Sequence, residues 1–152
     1  MRVWRLDRDG RNPLDGAGGL HVAGRWNLKG TPIVYASTHL SLAVLEKLVH
    51  VDPDLLPDNL IAVEIDIPER AGRIEELDAA VLPADWREAP APRSTQEIGS
   101  AWARDARRAG VLTVPSVVIP RERNVLLNPA HPAASEWKVT LTERFRFDAR
   151  LV

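Results

Sequence analysis

Residues 33 to 51 read Ile33-Val34-Tyr35-Ala36-Ser37-Thr38-His39-Leu40-Ser41-Leu42-Ala43-Val44-Leu45-Glu46-Lys47-Leu48-Val49-His50-Val51. The first four are β-prone and apolar, and they predict a short strand. Ser37 or Thr38 then offers a hydroxyl to cap the free amides of a helix over residues 39 to 51. The helix is apolar on almost every side, and Glu46 stands out inside it. A strand that runs through a cap directly into a helix, in a chain with few other helical stretches, predicts a mixed α+β class.

Outward from this segment the signals agree. Residues 2 to 6 alternate weakly and predict an opening strand, and Asp9 to Asn12 and Gly16 to Gly19 read as turn and loop. Leu60 to Ile67 alternates around Glu64 and Asp66 and is a strand that Pro68 closes. Prolines 68, 83, 90 and 92 make the next stretch irregular, with room for a helical turn within 74 to 82. Ser94-Thr95-Gln96-Glu97 has the spacing of a capping box, Ile98, Trp102 and Ala106 follow at helical intervals, and Gly110 suits a helix C-terminus. Val111 to Ile119 is β-branched but contains Pro115, which predicts an edge strand or a bulge. Residues 138 to 148 alternate with period two, one face for packing and one for water. No repeat or linker interrupts the chain, so residues 1–152 are expected to form one compact domain, a mixed sheet with few helices.

Composition narrows the function classes. The 152 residues carry 20 Lys plus Arg against 21 Asp plus Glu, a net charge of -1, so no global field draws the chain to nucleic acid or to an anionic membrane. There is no cysteine, which removes disulfides, thiolate nucleophiles and cysteine-ligated metal. The start, Met1 to Leu6, has no apolar run of signal length, and no 18 apolar residues run together, so the expectation is a cytoplasmic protein. Gly16-Ala17-Gly18 lacks the third glycine of a dinucleotide fingerprint. Gly19 to Gly24 ends in Arg25-Trp26 rather than Lys-Ser/Thr, and the four histidines form no ligand pair. No metal and no bound cofactor are expected.

Several side chains can carry chemistry, each with a plainer reading beside it. Gly24 to Pro32 crowds Arg25, Trp26, Asn27 and Lys29 into a sharp loop. Arg25 can fork onto phosphate oxygens with Lys29 as a point charge, or both can be solvated turn residues. Glu46 is either a site carboxylate or a helix-edge group paired with His50 at i,i+4. Tyr35, the sole tyrosine, is a stacking ring or a core aromatic with its hydroxyl satisfied. Ser116 binds a ligand or satisfies backbone at a bulge. Arg5 points into a cleft or, slightly favoured, outward. His131 is a general acid or base or part of a rigid turn. Arg104, Arg107 and Arg108 sit where a helix dipole would attract them.

Taken in order, Gly24-Arg25-Trp26-Asn27-x-Lys29-Gly30-Thr31-Pro32-x-Val34-Tyr35-Ala36 and Leu45-Glu46-x-Leu48-Val49-His50 resemble the opening half of the RES domain. Leu82-Pro83-x-Asp85-Trp86-Arg87, Thr95-Gln96-x-Ile98-Gly99-x-x-Trp102, Val114-Pro115-Ser116, Asn128-Pro129-x-His131-Pro132 and Phe147-Asp148-x-Arg150-Leu151 resemble the rest. Leu28 departs from the proline or small residue common after the asparagine. The resemblance implies a fold related to ADP-ribosyltransferase toxins, and a toxin that degrades NAD or transfers ADP-ribose to a protein acceptor. It also implies a cognate Xre-like antitoxin as partner, while the balanced charge leads us to expect no direct binding to nucleic acid or membrane. It assigns Arg25, Glu46 and Ser116 to the three naming residues, Tyr35 to the strand tyrosine and Arg5 to the first strand. NAD is then substrate rather than cofactor. Catalysis falls to Glu46, Arg25 and Tyr35, and substrate binding to Arg5, Ser116 and Lys29. The alternatives are a non-catalytic nucleotide-binding module and an RNA-targeting toxin using His131 with Arg104, Arg107 and Arg108.

Overall fold

A computed structural model of the chain describes residues 1–52 and 55–151. Seven strands form one mixed sheet: β1 (Arg2–Arg8), β2 (Val34–Ser37), β3 (Leu60–Asp66), β4 (Ile74–Glu76), β5 (Val111–Pro115), β6 (Arg123–Leu127) and β7 (Lys138–Arg144). Their order across the sheet is β4-β5-β6-β2-β1-β3-β7, antiparallel except for the parallel pair β4 and β5. The helices are α1 (Gly18–His21), α2 (Leu40–Leu48) and α3 (Arg93–Arg104). This is the α+β single domain expected. Among the described residues no helix is long and apolar enough to cross a membrane.

Period-two alternation sorts the core onto the two sheet faces. Val3, Val34, Ala36, Val63, Ile65, Val111, Val125 and Leu127 meet on one side, closed by Trp137. On the other, Leu112, Val114 and Leu126 pack with Trp26, Ile33 and Trp102, with Tyr35 and Ile98 against them. Helix α3 covers this second face and α2 lies over β1 and β2. β1 and β2 are joined at a single register, Trp4 opposite Ser37, whereas β1 and β3 pair along their whole length. The sheet is therefore open between β1 and β2, and the main cleft lies there.

Several local expectations are corrected. Helix α3 begins at Arg93 with Pro92 as its N-cap, so Ser94 caps nothing: its hydroxyl donates to Asp85, while Thr95 bonds back to the Pro92 carbonyl. A proline outside a first turn presets φ and forgoes no intrahelical bond, which lets the helix start early. It ends at Arg104, well before Gly110, which instead lies against the ring of His131. Ser37 and Thr38 do not cap α2, which starts at Leu40 behind an extended His39 and stops at Leu48. Ser37 is the last residue of β2, and Thr38 bonds the Arg123 carbonyl. β5 is neither an edge strand nor bulged, and it ends at Pro115. Its neighbour β4 reaches only Thr113, so the missing amide of Pro115 faces no partner strand.

The helical turn expected within 74 to 82 is the 3₁₀ turn Ala79–Val81, and the short strand β4, not expected from the sequence, precedes it. β6 went unread because Arg123 and Asn124 mask its start. β7 packs neither face, with Val139 and Leu141 about 40% exposed, since it is the outer strand and α2 and α3 lie over other strands.

Candidate functional site

The cleft has a volume of about 860 Å³ and is bordered by β1, β2, α2, the loop 23–26 and the segment 87–91. Its floor carries Glu46. Both Ser116 Oγ, at 2.7 Å, and Asn124 Nδ2, at 2.5 Å, donate to the same oxygen, Oε1. No described residue donates a hydrogen bond to Oε2. The i,i+4 pairing with His50 does not form. A carboxylate clamped through one oxygen keeps the other for a ligand hydroxyl or a developing positive charge.

Ser116 follows Pro115 at the end of β5, is fully buried, and its Oγ also accepts from the Ile119 amide at 2.9 Å. It is not among the residues that border the cleft, and its hydroxyl supports the carboxylate.

Tyr35 borders both this cleft and a second hollow of about 740 Å³ next to it. Its hydroxyl accepts from the Trp26 amide at 2.9 Å and donates to Asn27 Oδ1 at 2.8 Å. Burial pushes its pKa well above the ordinary tyrosine range, with the Trp26 amide and the Arg25 charge opposing. Tyr35 is therefore a protonated strut that shapes the loop, and its side chain borders the cleft.

Asn27 is the hub beneath that loop. It is buried, Oδ1 also accepts from the Gly24 amide, and Nδ2 donates to the carbonyls of Val22 and Leu28. A Cβ on Gly24 would lie 2.7 Å from both Asn27 Oδ1 and the Tyr35 hydroxyl, so only glycine lets these three groups meet. Helix α3 holds the far side: Ser100 Oγ accepts from the Leu28 amide at 2.8 Å and Arg104 reaches Thr31 at 2.7 Å.

The loop so fixed presents Arg25. Its guanidinium spans the cleft mouth and donates to the carbonyls of Trp86 at 2.6 Å and Glu88 at 3.0 Å. Burial lowers its pKa, while the nearby Glu46 and Tyr35 counter the shift. Arg5 points inward, against the slightly favoured outward reading. It bonds the Pro13 carbonyl and pairs with Asp7 at 2.8 Å, its Nε is buried without a partner, and burial lowers its pKa against the pull of Asp7. Arg5, Arg25, Tyr35 and Glu46 thus share one cleft. Lys29 does not join them: it is exposed on the outer side of the loop.

The side chains of the RNA reading are engaged with other partners. His131 sits at the start of a 3₁₀ turn and accepts from the Ala133 amide, Arg104 is tied to Thr31, Arg107 to Asp105 and Arg108 to Glu75. Among the described residues no three His, Cys, Asp or Glu side chains are grouped as a metal would need. Asn124, the carbonyls of Trp86 and Glu88 and the hub role of Asn27 are not expected from the sequence. Asn124 lies in the unread strand β6, and a carbonyl leaves no trace in side-chain type.

The model of the RES domain matches residues 2–148. The chain is 40% identical over 154 aligned residues to the "Prs ADP-ribosylating toxin" of Sphingobium sp. (strain YBL2), covering 98% of this chain and 95% of that one. It is 42% identical to a "Toxin Res" of Photorhabdus laumondii subsp. laumondii, covering 100% and 97%. A chain in the crystal structure of the M. tuberculosis MbcT-MbcA toxin-antitoxin complex superposes with a TM-score of 0.69 at 15% identity, over 94% of this chain and 82% of that one, a likeness of fold. With a family model spanning nearly its full length and relatives of this identity along its whole extent, the chain belongs to the RES domain family.

Proposed function

We propose that the chain is the toxin of a toxin-antitoxin pair and acts by cleaving the bond between nicotinamide and ribose in NAD, passing ADP-ribose to water, phosphate or a protein side chain. The observation that carries this reading is Glu46 Oε2, to which no described residue donates a hydrogen bond, in a cleft that also holds the fork-shaped cation of Arg25. Breaking the nicotinamide bond builds positive charge on the ribose, as in glycoside hydrolysis, and a fixed carboxylate beside the anomeric carbon stabilises it. Arg25 and Arg5 are the fork-shaped groups suited to the two phosphates, and the ring of Tyr35 offers an apolar surface to the flat nicotinamide. Ser116 acts through Glu46.

The toxin names of the relatives support the biological role, and the ADP-ribosylating name of the Sphingobium relative supports ADP-ribose chemistry. The fold shared with a chain of a toxin-antitoxin complex supports an antitoxin as partner, for which we propose an Xre-like protein acting in the cytoplasm. The test is a time course of NAD with the purified chain, with and without phosphate and with and without lysate, resolving nicotinamide and every ribose product. Nicotinamide release that Glu46→Gln abolishes supports the proposal, and the co-product names the acceptor. NAD left intact in all four mixtures overturns it.

A further inference from the structure

The carboxylate of Glu46 is held by a relay that begins in the sheet. Ser37 and Asn124 are register partners on β2 and β6, so their side chains stand side by side on one face. Ser37 Oγ donates to Asn124 Oδ1 at 2.7 Å, and Asn124 Nδ2 donates to Glu46 Oε1. Ser37 is itself opposite Trp4, the single pair that joins β1 to β2 at the head of the cleft.

The direction of each bond is forced. An ionised carboxylate can only accept, so Asn124 must turn its nitrogen to Glu46; its oxygen then faces Ser37, whose hydroxyl must donate. On the other side the Ile119 amide donates to Ser116, which spends its hydrogen on Glu46. Both chains converge on Oε1. Without Ser37 the amide of Asn124 keeps the sense that Glu46 imposes but loses the donor that holds its oxygen, so one bond alone anchors it.

We propose that Asn124 is a positioning residue for Glu46 and that Ser37 anchors its amide from the far side, so that β2 and β6 fix where Oε2 meets the substrate. The catalytic consequence rests on the NAD-cleaving reading of the site, whereas the relay itself does not. A glutamate freed to sample several rotamers places its oxygen wrongly most of the time, and a misplacement of this size costs on the order of a hundredfold in rate with little effect on ground-state binding.

Two readouts test this on the full chain. In steady-state nicotinamide release from NAD, Asn124→Ala should lower kcat roughly ten- to hundredfold with KM changed by less than about threefold. Ser37→Ala should lower kcat less, and Ser37→Thr, which keeps the donor, should restore it. By NMR, one Nδ2 proton of Asn124 should resonate downfield and exchange slowly in the parent chain, and lose both properties in Ser37→Ala and in Glu46→Ala. An Asn124 amide unchanged by Ser37→Ala, or a loss in Asn124→Ala that lies wholly in KM, overturns the proposal. Should Asn124→Ala not fold, the Ser37 pair decides alone. A parent chain that releases no nicotinamide yet shows the coupled amide counts against the NAD reading and leaves the relay standing.

Discussion

Arg25 and the carbonyl of Trp86 are joined by a hydrogen bond of 2.6 Å across 61 residues of chain, and the same guanidinium holds Glu88 O. Each bond uses one hydrogen, so three of the five guanidinium donors remain for a ligand. Arg25 therefore docks the segment 86–88 over the cleft and still faces it. A lysine cannot do both, because its single nitrogen lacks the fork. Arg25→Lys should raise the rate of limited proteolysis within residues 84–91 and lower kcat/KM for NAD cleavage roughly tenfold or more, the loss of one charge-assisted hydrogen bond being worth about 1.5–3 kcal/mol. Unchanged proteolysis would separate the arginine from the loop.

Tyr35 links the strand to the Arg25 loop through its hydroxyl. Tyr35→Phe leaves the Trp26 amide without its partner and should cost about 1–3 kcal/mol of stability, with a fall in NAD turnover as the loop loosens. Because the pKa of Tyr35 is raised on folding, its contribution is present in full below the ordinary tyrosine value near 10 and is lost as pH rises above it. The melting temperature of the parent chain should fall more steeply than that of Tyr35→Phe above about pH 10. As Tyr35 is the sole tyrosine, tyrosinate absorbance reports it directly and should appear only as the chain unfolds.

How much of this was legible in the sequence depended on which physical signal each residue carried. Glu46 could be singled out because a carboxylate in an apolar helix is costly to bury without partners, and Arg25 because glycines and a proline sharpen its loop. The partners of Glu46 were not legible together: Ser116 and Asn124 lie 70 and 78 residues from it, and only strand order brings the end of β5 and the start of β6 within reach of its side chain. The strand β6 begins with Arg123 and Asn124, polar because they face buried carbonyls and a carboxylate, so the period-two pattern fails at the functional end. The helix caps were misread for the same reason. Ser37 and Ser94 are good cap residues whose hydroxyls have better partners across the fold.

Gly99 marks where α3 meets the Arg25 loop. A Cβ there would run into the carbonyl of Trp26, which is backbone and cannot swing aside. Gly99→Ala should therefore destabilise despite the higher helix propensity of alanine, by about 1–3 kcal/mol of overpacking strain. In a chain of this length each kcal/mol lowers the melting temperature by about 2–4 °C. A melting temperature equal to or above that of the parent would mean that helix and loop separate freely.

Glu75 fastens β4 to the segment that leads into β5. One oxygen accepts from the Ala109 amide at 2.7 Å, and the other meets Arg108 at 2.6 Å. The hydrogen bond from Arg108 comes first among the causes that hold its carboxyl below the ordinary range, the Ala109 amide and the Arg108 and Arg73 charges add to it, and partial burial opposes. A carboxylate with a lowered pKa stabilises the fold above its unfolded value near 4.3, and this contribution disappears as pH falls through the folded value. Glu75→Gln keeps an acceptor for Ala109 and loses the ion pair, which is worth about 1 kcal/mol because the Arg108 side chain is 43% exposed. Its melting temperature should lie a few degrees below that of the parent near pH 7, and the gap should close as pH falls below about 4. A gap that persisted in acid would mean that packing of the longer-range contacts, rather than the charge on Glu75, joins β4 to the sheet.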